Sequence, residues 1–299
     1  GLEETRTAGS LLGIPAVGGF ESRVFLPEMK DVVINSPMEP GIYYLCGKGF
    51  PAAPSHATPQ GKVFTEIQEI AQRRNRQVID RLNRFLGDIH LDYHRDVLPL
   101  TPSGNTTERH IVAAYHQVSE QVLGNQVDSF WAGILGIPET ETASLRMNRP
   151  ADFQERLRSR LITFGGPGYS APDPETFPRF DDVVRITKES GGRPVGTWLD
   201  GTSRGEEDPQ RLLAFLATQG IEAMEIIPDR NWRISDPAER QRKVANLDAF
   251  MTACQAMGMP VVCGTEMNKP GQPLVDDFSQ PAIARYLPYF LESARIFFS

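Results

Sequence analysis

Pro260-Val261-Val262-Cys263-Gly264-Thr265-Glu266-Met267-Asn268 reads as a short buried strand that turns at its C-terminal end and presents a carboxylate and an amide. Val261, Val262 and Cys263 suit a strand covered on both faces, and Gly264 lets the chain turn before Glu266 and Asn268. The C-terminal ends of parallel strands are where α/β enzymes keep their chemistry. Residues 11–25, LLGIPAVGGFESRVF, have the same form: an apolar strand over 14–18, then Gly18-Gly19, then Glu21. In a closed barrel these two segments, from opposite extremes of the chain, are neighbours.

Outward from these segments, residues 178–293 alternate helix and strand at the spacing of βα units. Helices are expected over 181–190, 209–219, 237–257 and 281–293, and strands over 194–199, 221–227 and 260–263. Gly191-Gly192, Gly220 and Gly258 close the helices, and Ser235 or Asp236 caps the longest. The order implies parallel strands, hence an open doubly wound sheet or a barrel. The middle of the chain differs. Residues 62–86 read as a helix rich in Arg and Gln, with Val63, Ile67, Ile70, Val78 and Leu82 on one face, and 108–123 as another. From 120 to 160 there is no strand candidate. Residues 100–165 are therefore expected to be a helical insertion within a single domain over 1–299, with the Gly- and Pro-rich 165–178 as the return loop. The chain opens on Gly1 without Met and stops at Ile296-Phe297-Phe298 without a cap, so the domain is expected to be incomplete at both ends.

With 299 residues, 40% hydrophobic and 23% charged, the chain can bury a large core. A net charge of −7 argues against a broad nucleic-acid surface or an anionic-membrane surface. Small phosphorylated substrates and short nucleotides remain as partners. Cys46, Cys254 and Cys263 are odd in number and lack CxxC spacing, which places the chain in a reducing cytoplasm without a disulfide framework. No apolar run approaches the roughly 18–20 residues that span a bilayer, and the first residues do not read as a signal peptide.

Several residues stand where chemistry is done. Glu21 follows a strand end and can reach a metal or a substrate proton; the bland reading pairs it with Arg23. Asp200 follows the apolar Thr197-Trp198-Leu199 and opens a loop carrying Thr202, Ser203, Arg204, Glu206 and Glu207. Glu225 lies among apolar neighbours inside a strand, where an unpaired carboxylate costs several kcal/mol; Arg204 or Arg230 is the expected partner. His110 sits near a helix start, a place where a lone His is more often a packing residue than a ligand. His90 and His94, four apart around Asp92, look like a helical metal pair, but the Leu91/Tyr93 alternation favours strand or loop. The chain contains no GxSxG, P-loop, Rossmann GxGxxG or HExxH.

Taken together these segments resemble the PHP family, the polymerase and histidinol phosphatase type of distorted (β/α)7 TIM-like barrel, over most of the chain. Gly19-Phe20-Glu21 resembles the family's G-x-E ligand. Residues 107–113 resemble its T-R-x-H-x-A helix start with His110 on the histidine, although Glu108 separates Thr107 from Arg109. Where the family has A-H-P-G, this chain has Leu199-Asp200-Gly201, so Asp200 replaces the histidine. Glu225 falls in the family's G-x-x-x-x-E-V strand. Glu266-Met267-Asn268 stands for its final D-x-H, and the opening H-x-H and D-H motifs are missing. The resemblance implies a phosphoesterase with a metal-bound hydroxide, divalent Mn, Fe or Zn, and Glu21, His110, Asp200, Glu266 and Asn268 as metal ligands. Asp200, Arg204 and Arg230 would then act on the substrate. A carboxylate-rich site favours Mn. Two other readings remain: an inactive PHP-like barrel that binds a ligand or partner, and an isomerase or lyase with Glu225 and Glu266 as acid and base.

Overall fold

The chain forms two units, residues 1–65 with 177–299 and residues 66–176, in a computed structural model that describes residues 2–101, 104–267 and 271–298. The first unit begins with α1 (Leu2–Leu12), β1 (Gly18–Phe25) and β2 (Ile42–Phe50), and α2 (Pro59–Leu86) carries the chain onward. The second unit adds α3 (Glu108–Leu123), α4 (Val127–Leu135), α5 (Glu139–Asn148) and α6 (Pro150–Leu161). Back in the first unit come α7 (Phe180–Glu189), β3 (Arg193–Thr197), α8 (Pro209–Thr218), β4 (Ala223–Ile226), α9 (Asp229–Trp232), α10 (Pro237–Met257), β5 (Val261–Cys263), α11 (Pro281–Ala284) and α12 (Leu287–Ala294). The helix signals act as expected at α8 and α10, whereas the helix expected over 281–293 is broken into α11 and α12. Asp208 and Asp236 cap α8 and α10, each followed by Pro at the first helical position, and Gly258 ends α10 in the left-handed conformation.

The five strands form one sheet in the order β1-β2-β3-β4-β5, antiparallel between β1, β2 and β3 and parallel from β3 to β5. This overturns the (β/α)7 TIM-like barrel of the PHP type. The sheet is open and mixed, and β1 and β5 are its opposite edges, so the two extremes of the chain are not hydrogen-bonded neighbours. The cause lies in the connections. Between β1 and β2 residues 26–41 hold only the 3-10 turn Pro27–Met29, too little for a helical crossover, so the two strands pair antiparallel. The second unit contributes no strand among the described residues. Only β3, β4 and β5 are left as consecutive βα strands.

Side chains alternate between the sheet's two faces. On one face Cys46, Val195, Ala223 and Val262 are covered by Ala294, Ile296 and Phe297. Elsewhere in this unit Tyr43 packs against Phe180 of α7 at 5.8 Å and donates its hydroxyl to Thr197 O at 2.9 Å. Just past β3, Trp198 stacks on Phe250 of α10, centroids 4.4 Å apart.

The second unit has a core of its own, built from Leu82, Ile111, Tyr115, Trp131, Phe153, Leu157 and Leu161. Segment 90–97, read from sequence as strand or loop, instead closes as the π-helical turn Tyr93–Val97. Asp92 caps it by accepting from the amides of His94 and Arg95, which gives that carboxylate a structural task. Among the described residues no helix is long and apolar enough to cross a membrane.

Candidate functional site

Three strand ends converge through one arginine. Asp200 follows β3, Arg230 lies in α9 just after β4, and Glu266 follows β5. Arg230 Nε is 3.9 Å from Asp200 Oδ2, and its Nη1 is 3.7 Å from Glu266 Oε2. Both are looser than hydrogen bonds, and Arg230 Nε is buried without a hydrogen-bond partner.

Asp200 is held more firmly. Its Oδ1 accepts from the amide of Thr202 at 3.1 Å and from the Thr202 hydroxyl at 2.5 Å, and Lys243 Nζ of α10 lies 3.1 Å from Oδ2. Burial pushes its carboxyl up, but the Thr202 and Lys243 bonds outweigh that and leave it below the ordinary value. The loop beneath it is built around Glu206, which is 1% exposed. The carboxylate of Glu206 accepts from the amides of Leu199 at 2.7 Å and of Asp200 and Gly201 at 3.2 Å each. Burial drives the Glu206 carboxyl up to about 7 against the pull of those three amides. Gly201, at φ 67°, takes the left-handed turn that lets the loop wrap this carboxylate. Asn246 fastens the other side, donating to Asp200 O at 2.9 Å and Gly201 O at 3.1 Å.

A second polar group lies on the sheet face. Glu225 of β4 accepts from Lys48 Nζ at 2.6 Å and from Cys46 Sγ at 3.1 Å, both on β2. Burial alone would lower the Lys48 ammonium, but the adjoining Glu225 carboxylate more than offsets it and raises the value. Burial lifts the Cys46 thiol far above its usual range, with Glu225 adding to the effect. Glu21, in register with Cys46 on β1, is raised by burial and then by the Glu225 charge, with Glu266 adding a smaller push. Gly264 closes over this group. A Cβ there would fall 2.7 Å from Glu225 Oε1.

Of the residues singled out from sequence, the fold brings Asp200, Arg230 and Glu266 together and sets Glu21 within electrostatic reach of Glu225 and Glu266. Arg204 is exposed on the turn before α8. His110 lies in the second unit, where its Nδ1 accepts from the Thr107 amide at 3.0 Å and makes a 2.9 Å hydrogen bond to the Thr107 hydroxyl at the start of α3. Asn268 falls outside the described residues. Glu225 does have a cationic partner, and it is Lys48 rather than Arg204 or Arg230. Sequence reasoning missed Lys48, Cys46, Lys243 and the role of Glu206. The run Ile42-Tyr43-Tyr44-Leu45 was the signal for the strand carrying the first two. Among the described residues no group of three or more His, Cys, Asp or Glu is arranged to hold a metal ion. The donors named above are engaged elsewhere: Asp200 by Lys243, Glu225 by Lys48, His110 by Thr107.

No protein-family model and no curated protein sequence matches the chain, so the PHP resemblance has no family match behind it. Among solved structures the chain is similar to an amidohydrolase from Chromobacterium violaceum, determined with bound sulfate and no metal. The TM-score is 0.58 and the sequence identity 17%, over 98% of this chain and 82% of that one. At that identity the likeness establishes a shared fold and nothing finer.

Proposed function

We propose that this chain is a hydrolase whose substrate is a small phosphate ester or short nucleotide held at the strand ends. The observation that carries the reading is Arg230, a guanidinium between two carboxylates with both ion pairs loose and one buried donor unpartnered. Such a group keeps donors for a two-pronged grip on an oxyanion. The similar amidohydrolase holds sulfate, which has the shape of phosphate.

The family resemblance implies a divalent metal, with Mn favoured, but the described side chains do not gather a donor set for one. The catalytic steps run through the chain's own residues. Arg230 binds and orients the phosphate. Lys243 neutralises Asp200, which lowers the repulsion an incoming anion meets. Glu266, 37% exposed beside Arg230, accepts the proton of an attacking water as the new P–O bond forms and the P–O bond to the ester oxygen breaks, the departing oxygen taking its proton from solvent. The three cysteines are free thiols, in keeping with the cytoplasm as its compartment.

The test is turnover of 4-nitrophenyl phosphate and nucleoside monophosphates, with and without added Mn. Turnover is expected, and Arg230→Ala should lower kcat/KM roughly 100-fold. A second reading rests on the Asp200–Lys243 and Glu225–Lys48 pairs, which neutralise two carboxylates within the protein. Phosphate binding that depends on Arg230, with no turnover under either condition, would replace the hydrolase by a ligand-binding module.

A further inference from the structure

The second unit carries arginines that the site above does not use. Along α2, Arg73, Arg74, Arg76, Arg81 and Arg84 stand against Asp80 as the one acidic residue of that stretch. Elsewhere in this unit several arginines have acidic partners. Arg109 pairs with Glu155, Arg146 with Glu120 and Asp128, Arg156 with Glu141, and Arg158 with Glu108 and Glu155. Arg81 is different. Its Nη2 donates to Ser170 Oγ, and its Nε is buried with no hydrogen-bond partner. Burial and the like charge of Arg84 hold its guanidinium below the ordinary value, with Asp80 opposing only in part. A buried donor left unpaired is unfavourable, and a bound anion relieves it.

We infer that Arg81, Arg84 and the Ser170 hydroxyl form an anion site for a small phosphate-type oxyanion. The guanidinium offers its donors in a fixed fork. Ser170, which accepts from Arg81, keeps its own proton to donate to the ligand. Arg84 lies three residues on, on the same side of the helix. The return segment is held close: a Cβ on Gly168 would fall 2.9 Å from Leu82 Cγ and 3.0 Å from Leu161 O. That close approach brings Ser170 down onto α2.

This site stands apart from the hydrolase reading and is tested apart from it. Inorganic phosphate is titrated calorimetrically into the 299-residue chain carrying Arg230→Ala, which removes the anchor at the strand ends. Saturable binding is expected, weakened roughly tenfold by Arg81→Gln and by a smaller factor in Ser170→Ala, with circular dichroism unchanged. Should Arg81→Gln disturb the helices, Ser170→Ala decides. The site is overturned if the Arg230→Ala chain shows no saturable phosphate binding, or if binding is the same in both further variants.

Discussion

Lys48 and Glu225 are a partly buried ion pair, 27% and 13% exposed at their side chains, and the pair's worth lies in what happens when one member leaves. Among the described residues, Lys48→Met leaves the Glu225 carboxylate with only the Cys46 thiol as donor. A loss of about 2–3 kcal/mol is expected, below the cost of a fully buried pair because water reaches both groups. Urea unfolding measures it, and Lys48→Arg should recover part. Gly264→Ala probes the same carboxylate from the other side. Its Cβ would press on Glu225 Oε1, so the carboxylate must shift at a cost of about 1–2 kcal/mol. A variant as stable as the parent would mean that Glu225 is not confined there.

The loop from β3 to α8 is organised around Glu206, a single buried carboxyl wrapped by three amides. Its folded value, about 7, lies above the ordinary carboxyl value of 4.5. A group raised on folding contributes stability that is fully present below its unfolded value and is lost as pH rises through the folded one. Stability should therefore fall from about pH 4.5 to about pH 7, by on the order of 3 kcal/mol, and then level. Glu206→Gln should flatten that slope in a pH series of denaturant midpoints, while lowering stability at acid pH because one amide nitrogen replaces an acceptor. A slope unchanged by the substitution would remove Glu206 as its source. Little of this was legible in the sequence, where Glu206 looks like one more acid in a solvated loop. Asp200 was legible because it follows three apolar residues of a strand. Position after a strand is a local property; wrapping by amides five to seven residues away is not.

At the scale of the molecule, the sequence pattern was sound from residue 178 onward, where caps, prolines and glycines mark every βα step. It failed at β1, where the strand runs over Gly18–Phe25 rather than 14–18 and holds Glu21 within it instead of past its end, and at β2, whose Gly47-Lys48-Gly49 interrupts the apolar run, and with β2 the barrel failed too. An antiparallel strand between β1 and β3 is a statement about pairing partners far apart in sequence, which periodicity does not carry. A histidine at a helix start serves the helix as readily as a metal, and at His110 the Thr107 bonds supply the first role. The core of the second unit yields a further expectation. Trp131 donates its indole N–H to Ser119 Oγ at 2.9 Å and meets the Phe153 ring edge-on at 6.2 Å, and both aromatic side chains are fully buried. Phe153→Ala removes the ring and leaves a cavity, so this unit should lose about 3–5 kcal/mol. Chains of more than one unit need not unfold in a single step. With fluorotryptophan at its three positions, the chain reports each site separately by fluorine magnetic resonance. The Trp131 signal should shift to a lower denaturant midpoint in Phe153→Ala, while those of Trp198 and Trp232 keep theirs. A common shift of all three would show that the helical unit and the sheet unit unfold as one.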